Sequence, residues 1–410
     1  MLTKTTQSET KKLPKLRFQG FSGEWEKKKL GDFGDIVGGG TPDTTKSEYW
    51  NGNINWFTPT EIKQKYIGES RRKISKEGLK SSSAKMLPIG TLLLTTRATI
   101  GDISISKEES TTNQGFQSVI VNKDNSNEFL YHWILKNRKE FLRKANGSTF
   151  LEITGKEVGK IKSRFPSLLE QQKIASFLGV VDEWIGNLRK QREFLEKYKK
   201  GIIQKIFSQD IHFKDDEGRN FPSWEKEKLG KVATFLKGKG ISKDDIVKDG
   251  DNKCIRYGEL YTKYNEVIKN ITSYTNTTKG KSVLSKENDI LMPTSDVTPN
   301  GLATSSALSE SGIILGGDIL IIRSSKILNT FFSYYVGAHK KDIMRLVSGV
   351  TVYHIYGSDL KSLSMILPSL PEQQKIANFL TSVDKLIELK QGQITQAENW
   401  KKSLMQGLFV

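Results

Sequence analysis

The 410-residue chain has one cysteine, Cys254. A lone thiol excludes a disulfide within the chain and a cysteine-cluster metal site, and it suits a reducing compartment. Four histidines, His132, His212, His339 and His354, are scattered with no H-E-x-x-H pair, so zinc chemistry has no footing. No run approaches eighteen apolar residues, and the first sixteen residues carry charge without an apolar stretch, so neither a spanning helix nor a secretory leader is expected. Acid is scarce too: 46 Asp and Glu stand against 64 Lys and Arg, a net charge of +18. Such an excess points to a polyanionic partner rather than to a fold. No segment pairs a broad Trp/Phe/Leu face with a basic face, which disfavours a membrane surface and leaves nucleic acid.

What is present is an internal repeat. Pro166-Ser167-Leu168-Leu169-Glu170-Gln171-Gln172-Lys173-Ile174-Ala175-Ser176-Phe177-Leu178 returns as Pro368-Ser369-Leu370-Pro371-Glu372-Gln373-Gln374-Lys375-Ile376-Ala377-Asn378-Phe379-Leu380, 202 residues later, with eleven of thirteen positions identical. The offset carries on through Asp182/Asp384, Ile185/Ile387 and Phe207/Phe409, and it also covers Gly147-Ser148-Thr149 against Gly349-Val350-Thr351. Near the start of each half, Trp25-Glu26-Lys27-Lys28-Lys29-Leu30-Gly31 answers Trp224-Glu225-Lys226-Glu227-Lys228-Leu229-Gly230. The chain is two half-units of about 200 residues.

Each half has two parts. Residues 21–165 and 221–367 mix β-branched and aromatic runs with Gly, Pro and Asn turns and read as strand-rich globular domains. Residues 171–207 and 373–409 lack proline. Ile174, Leu178, Val181, Ile185, Leu188, Arg192, Leu195, Lys199, Ile202 and Ile206 recur at alternating spacings of four and three, as do Ile376, Leu380, Val383, Ile387, Lys390, Ile394, Ala397, Lys401, Leu404 and Leu408. That is an a/d seam over more than four heptads, and each stripe's comparable partner in the chain is the other copy. Lys199 and Lys401 are expected to lay their methylenes along the seam with the charge in water. The expected fold is α+β: two globular strand-rich domains joined by two long helices in an intramolecular antiparallel coiled coil with pseudo-twofold symmetry. The globular parts show no clear counterparts. Gly38-Gly39-Gly40-Thr41-Pro42 and Asn51–Trp56 do not match Lys237–Ile246 and Cys254–Tyr261. Two unlike readers on one spacer suit an asymmetric, bipartite duplex site, because adjacent major-groove faces recur every ~34–36 Å and a 37-residue helix spans ~55 Å.

On the doubled Pro…Glu-Gln-Gln-Lys-Ile-Ala motif, with Thr111-Thr112-Asn113-Gln114-Gly115-Phe116-Gln117 and Gly147-Ser148-Thr149-Phe150, the chain resembles the specificity subunits of type I restriction-modification systems over almost its whole length. The resemblance implies a first target recognition domain at 14–165, a central helical spacer at 166–210, a second recognition domain at 211–367 and a C-terminal spacer at 368–410. It further implies a noncatalytic, cytoplasmic subunit that binds double-stranded DNA, two modification (methyltransferase) subunits and restriction (endonuclease/translocase) subunits. No cofactor is expected on this chain: S-adenosylmethionine belongs to the methyltransferase partner, and ATP and Mg to the endonuclease partner. The second half departs from the motif in having Gly349-Val350-Thr351-Val352 and no evident Asn-Gln-Gly-Phe-Gln.

The residues agree with a chain that does no chemistry itself. No two of the ten prolines are adjacent, so the Pro-Pro tetrapeptide that holds a flipped adenine in N6-adenine methyltransferases is missing. Thr278-Lys279-Gly280-Lys281-Ser282 ends like a phosphate loop but has Thr275 where the leading glycine belongs. One alternative is a Mg-dependent nuclease built on Asp43, Glu61 and Lys63, another a coiled-coil scaffold without sequence specificity. The candidate DNA contacts are Arg97, Asn113, Gln114, Ser148 and Thr149 in the first half, and Lys237, Lys239, Lys243, Arg256 and Tyr257 in the second. Arg97, at a strand end, either reaches guanine or a phosphate, or pairs with Asp102. Asn113 and Gln114 either read adenine or cap local backbone. Ser148 and Thr149 either grip a phosphate or form a plain turn. The Lys237–Tyr264 stretch interleaves aromatics with cations, yet Tyr257, Leu260 and Tyr264 also fit ordinary packing. The Glu170-Gln171-Gln172 start reads as helix initiation, with contact to a methyltransferase subunit as its second use.

Overall fold

The computed structural model describes residues 2–4, 13–147 and 151–410. It divides into two compact units, Met1–Arg189 with Gly392–Val410, and Lys190–Gln391. Four helices organise them: α1 (Asn127–Lys136), α2 (Leu168–Phe207), α3 (Asn329–Ala338) and α4 (Leu370–Leu408). The two long ones begin three residues earlier than the sequence pattern indicates, at the leucines ahead of Glu170 and Glu372.

The first unit's globular part holds β1 (Gly34–Gly38), β2 (Trp50–Phe57), β3 (Tyr66–Ile67), β4 (Arg72–Ile74), β5 (Leu92–Leu94), β6 (Ile103–Ser106), β7 (Ser110–Thr112) and β8 (Gln117–Val121). Five of them form a sheet in the order β1-β8-β5-β6-β3; the other three form β7-β2-β4, with β7 parallel to β2. Central β5 is buried on both faces, which is why its sequence is an uninterrupted Leu92-Leu93-Leu94 rather than an alternation. Helix α1 starts where the Ser126 hydroxyl accepts from the Phe129 N–H at 3.2 Å, and it buries Phe129, Leu130, Trp133 and Ile134.

The second unit has β9 (Thr234–Lys237), β10 (Ile246–Val247), β11 (Asn252–Ile255), β12 (Ser273–Thr275), β13 (Val283–Leu284), β14 (Asp289–Pro293), β15 (Ser306–Leu308), β16 (Ile314–Leu315) and β17 (Ile319–Arg323). Its sheets run β9-β17-β14-β15 and β10-β12-β11-β16-β13, with β16 parallel to β11. This corrects the expectation of unmatched globular parts. The order β1-β8-β5-β6 is repeated as β9-β17-β14-β15, and the parallel pair β2/β7 as β11/β16. The framework needs only buried apolar positions on its strands, so side chains diverged over a retained backbone.

In the first unit the α2 seam residues Ile174, Leu178, Val181, Ile185 and Leu188 share one core with Ile394, Ala397, Leu404 and Leu408 of α4 and with Trp25, Phe129 and Phe165 of the globular part. In the second unit Ile206 and Phe207 of α2 share a core with Ile376, Ala377 and Leu380 of α4 and with Phe331 and Phe332 of α3. The helices are antiparallel in each unit. Lys401 Nζ lies 2.5 Å from Asp182 Oδ1 in the first unit, and Lys199 Nζ lies 2.8 Å from Asp384 Oδ1 in the second. The repeat offset exchanges these two pairs. Neither lysine leaves its charge in water, contrary to the seam expectation; their side chains are 17% and 19% exposed and ion-paired. Burial presses Lys199 toward neutrality, but Glu266, 3.1 Å away, and Asp384 outweigh it and raise its pKa. Tyr334 also donates to Asp384 Oδ2 at 2.6 Å. Its counterpart by offset, His132, is fully buried beside Asp182; burial, then Lys65 and Lys401, hold it neutral, so the 3.6 Å approach is no ion pair.

The Glu-Gln-Gln motif does more than start a helix. Gln171 Oε1 accepts from Ser126 N at 3.0 Å while its Nε2 donates to Asn125 Oδ1 and Pro166 O at 3.0 and 3.1 Å. Gln373 repeats this with Leu328 N at 2.8 Å, Lys326 O at 2.9 Å and Pro368 O at 3.0 Å. Each glutamine ties the long helix to the loop that precedes α1 or α3. Both are buried, so only Gln172 and Gln374, which are exposed, remain for a partner.

Lys199→Met strands Asp384 and is expected to cost roughly 3 kcal/mol, whereas Lys199→Met with Asp384→Leu costs clearly less than the two single changes together. Urea denaturation of the four proteins checks this; simple additivity would mean that the pair is not coupled.

Candidate nucleic-acid interface

The matched frameworks bring most of the candidate residues to one corner of each globular part. In the first, Gly40 N–H donates to Thr112 O at 2.9 Å, Asn113 N–H to Phe57 O at 3.0 Å and Thr96 N–H to Gly115 O at 2.8 Å. In the second, Lys239 N–H donates to Leu315 O at 3.0 Å, Gly316 N–H to Ile255 O at 2.9 Å and Thr294 N–H to Asp318 O at 2.9 Å. The turn Gly316-Gly317-Asp318 is therefore the second half's answer to Asn113-Gln114-Gly115, and Lys239 stands where the first half has Gly40. The approach is close enough to require glycine. A Cβ on Gly39 would sit 2.1 Å from Asn113 O, and one on Gly238 would sit 2.0 Å from Gly316 O.

Arg97 follows β5 at this corner. Its Nη2 is 2.8 Å from Glu152 Oε2, on a bridge between the two residues, and its Nε is buried without a partner. The expected alternative partner, Asp102, is taken instead by Arg138 at 2.7 Å, because Arg138 also donates to Ile100 O at 3.0 Å and so lies over that turn. Thr95 and Thr96 follow β5, and their hydroxyls donate to Thr99 O and Gly115 O. Asn113 caps its own turn through Gly115 N–H at 2.8 Å; Gln114 is exposed at the tip and accepts from the Thr41 hydroxyl at 2.5 Å. Ser148 and Thr149 lie outside the described residues.

At the second corner, Lys237 is exposed and 3.1 Å from Asp318. Lys239 and Lys243 are exposed as well, Lys243 beyond the corner near the turn that Ser242 and Asp245 close. Arg256 follows β11; its backbone N–H donates to Glu259 Oε2 at 2.9 Å, and its Nε is buried without a partner among the described residues. Tyr257 and Tyr264 are half-buried against the core that contains Leu260, so packing accounts for the aromatic stretch. Burial and Glu259 raise the thiol of Cys254 to about 11, which leaves it unreactive at neutral pH.

Sequence reasoning missed Arg72. Its guanidinium lies 3.6 Å over the Trp50 ring and 5.6 Å from that of Trp56, whose indole N–H donates to Gly40 O at 2.8 Å at the corner itself. Arg71 and Arg72 are exposed. The available signal was the run Arg71-Arg72-Lys73 after two tryptophans, since a stacked guanidinium is held flat and ready for bidentate contacts. The nuclease alternative fails on geometry. Glu61 caps a turn through Thr58 N–H and Arg71 N–H, each at 2.8 Å, as Glu259 does in the second half, and Asp43 caps Thr45. No cluster of three or more His, Cys, Asp or Glu able to hold a metal occurs among the described residues.

The profile of the type I restriction modification DNA specificity domain matches residues 22–197 and 222–399. The chain belongs to this family. The MjaIX specificity subunit of Methanocaldococcus jannaschii is 35% identical over 236 residues, 54% of this chain and 55% of the relative. The MjaVIII specificity subunit of the same organism is 27% identical over 399 residues, covering 93% and 91%. The EcoR124I/EcoR124II specificity subunit of Escherichia coli is 32% identical over 167 residues, covering 39% and 41%. The chain thus spans about half the length of the first of these relatives and nearly all of the second. Among solved structures, the S subunit of M. genitalium shares the fold with a TM-score of 0.57 at 15% identity, over 97% of this chain and 99% of that one. A component of a type I R-M complex does so with 0.58 at 16% identity, over 93% and 96%.

Gly238→Ala forces the two corner segments apart and is expected to cost about 1–3 kcal/mol, while Gly280→Ala, with nothing within 4 Å of the new carbon, changes stability by less than about 0.5 kcal/mol. Thermal melts of both variants test the close approach; equal melts would refute it.

Proposed function

We propose that the chain is the sequence-reading subunit of a type I restriction-modification complex, in which each globular part reads one half of an asymmetric bipartite DNA site and adenine methylation and ATP-dependent cleavage lie on partner subunits. The observation that carries this reading is the matched corner: the same backbone junction, in both halves, presents different cations and amides. Arg97, Gln114 and Arg72 belong to the first reader, and Lys237, Lys239 and Arg256 to the second. Cations at such a corner place the complex on phosphates, and bidentate groups such as arginine and glutamine select base edges. The net charge of +18 favours duplex DNA, with binding that weakens steeply as salt rises. No helix among the described residues is long and apolar enough to cross a membrane.

The long helices supply the docking surface for two methyltransferase subunits, which bring S-adenosylmethionine; endonuclease subunits bring ATP and Mg. In the first unit Trp184 and Trp400 are half exposed, with ring centroids 6.1 Å apart, and Val180 is exposed on the same helix as Trp184. Aromatic anchors of this kind dominate protein interfaces.

Selection from a random duplex pool, with the methyltransferase subunit present, is expected to enrich one sequence made of two unlike blocks. Arg97→Ala should relax one block and cost about 1–3 kcal/mol of affinity, leaving the other block intact. A pool with no enriched sequence would instead mark a scaffold, and cleavage by the chain alone with Mg would mark a nuclease.

A further inference from the structure

The two halves differ at one position, buried as Arg17 in the first and exposed as His212 in the second, in a way that leaves a buried carboxylate without its arginine. In the first unit Arg17 is buried against Glu170: its Nε and Nη2 donate to Glu170 Oε1 and Oε2, each at 2.8 Å, and Nη1 and Nη2 donate to Gly23 O at 2.6 Å and Ser22 O at 3.0 Å. The segment Leu16-Arg17-Phe18 returns as Ile211-His212-Phe213. The alignment is physical as well as verbal. Phe18 meets Phe177 edge-on at 5.5 Å, and Phe213 meets Phe379, the repeat of Phe177, edge-on at 5.8 Å. Histidine therefore takes the arginine's place in the sequence, but it is exposed and leaves the guanidinium's place beside Glu372, the repeat of Glu170, open.

The shorter side chain does not fill that place. A cavity of about 280 Å³ remains, lined by His212, Asn220, Pro222, Ser223, Trp224 and Glu372. That is room for several waters at about 30 Å³ each, and so for a planar group of four heavy atoms. Glu372 is 2% exposed and its Oε2 has no hydrogen-bond partner among the described residues. Burial raises its pKa, against the lowering effects of the Trp224 indole N–H and of His212. In the first half, where arginine takes both carboxylate oxygens, the corresponding Trp25 indole nitrogen is the atom left unpartnered. The nearby cations of the second unit are engaged elsewhere: Arg219 by Asp215 and Glu217, Lys375 by Asp216 and Lys214 O.

We propose that this cavity is a receptor for a guanidinium group, which lies against Glu372 as Arg17 lies against Glu170. Pro222 and Ser223 line the cavity between Phe221 and Trp224, as Ser22 and Gly23 lie between Phe21 and Trp25. The group comes either from an arginine of a bound protein subunit or from a small guanidino compound. The receptor stands apart from the DNA-reading proposal, because the first probe is a small cation with no nucleic acid present.

Methylguanidinium titrated into the intact chain is expected to shift the Trp224 indole N–H resonance saturably, while tetramethylammonium at equal ionic strength, a cation without N–H donors, does not. Glu372→Gln and His212→Arg should each abolish the response, the second because it fills the cavity from within, and His212→Arg should also raise the melting temperature. No saturable response, or the same response to tetramethylammonium, overturns the proposal. To separate the two sources, assembly with the methyltransferase subunit is measured for His212→Arg. At least a tenfold loss of affinity assigns the guanidinium to that subunit, and unchanged assembly assigns it to a small compound.

Discussion

Two ion pairs related by the repeat, Asp182 with Lys401 and Lys199 with Asp384, set the register in which the long helices meet. An apolar seam alone tolerates slippage by a turn, because one leucine layer resembles the next. A charge placed within the seam does not, since any other register strands four mostly buried charges. The second pair is reinforced by its own unit, Lys199 by Glu266 and Asp384 by Tyr334, so the register there is coupled to the packing of the globular part.

From that register follows the division of labour. The starts of the helices, with their glutamines, and the paired Asp and Lys positions are the same in both halves because they must fit one another and their own loops. The strands of the globular parts answer only to burial, so their sequences drift while the sheet order β1-β8-β5-β6 returns as β9-β17-β14-β15. On the proposed function, the corner of each framework, closed by Gly39 or Gly238, is then free to present whatever cations and amides a given half-site needs. A fold built this way changes specificity without changing assembly.

The helical part was legible in the sequence because its periodicity is long and its start is repeated at eleven of thirteen positions. The role of Lys199 and Lys401 was not, since a lysine at a seam position looks the same whether it snorkels or pairs; the aspartate that decides lies on the other helix. The likeness of the globular parts was hidden because short buried strands such as Leu92–Leu94 and Asp289–Pro293 share only apolarity. Arg97 was placed correctly at a strand end, and the capping alternative holds for Asn113, whose side chain accepts from Gly115 N–H. The partner of Arg97 was misread, since Asp102 is near in sequence but Glu152 is the residue bridged to it in space. Arg72 went unnoticed because stacking on Trp50 depends on a cross-strand neighbour.

We propose that the length of the paired helices sets the gap between the two half-sites. Removing matched segments of seven residues from both, 187–193 and 390–396, keeps the ion pairs and the antiparallel register while shortening each helix by about 10 Å. Methylated adenines mapped in cells carrying this form and its methyltransferase should show the same two half-sites with a gap about three base pairs shorter. An unchanged gap between intact half-sites would contradict the account.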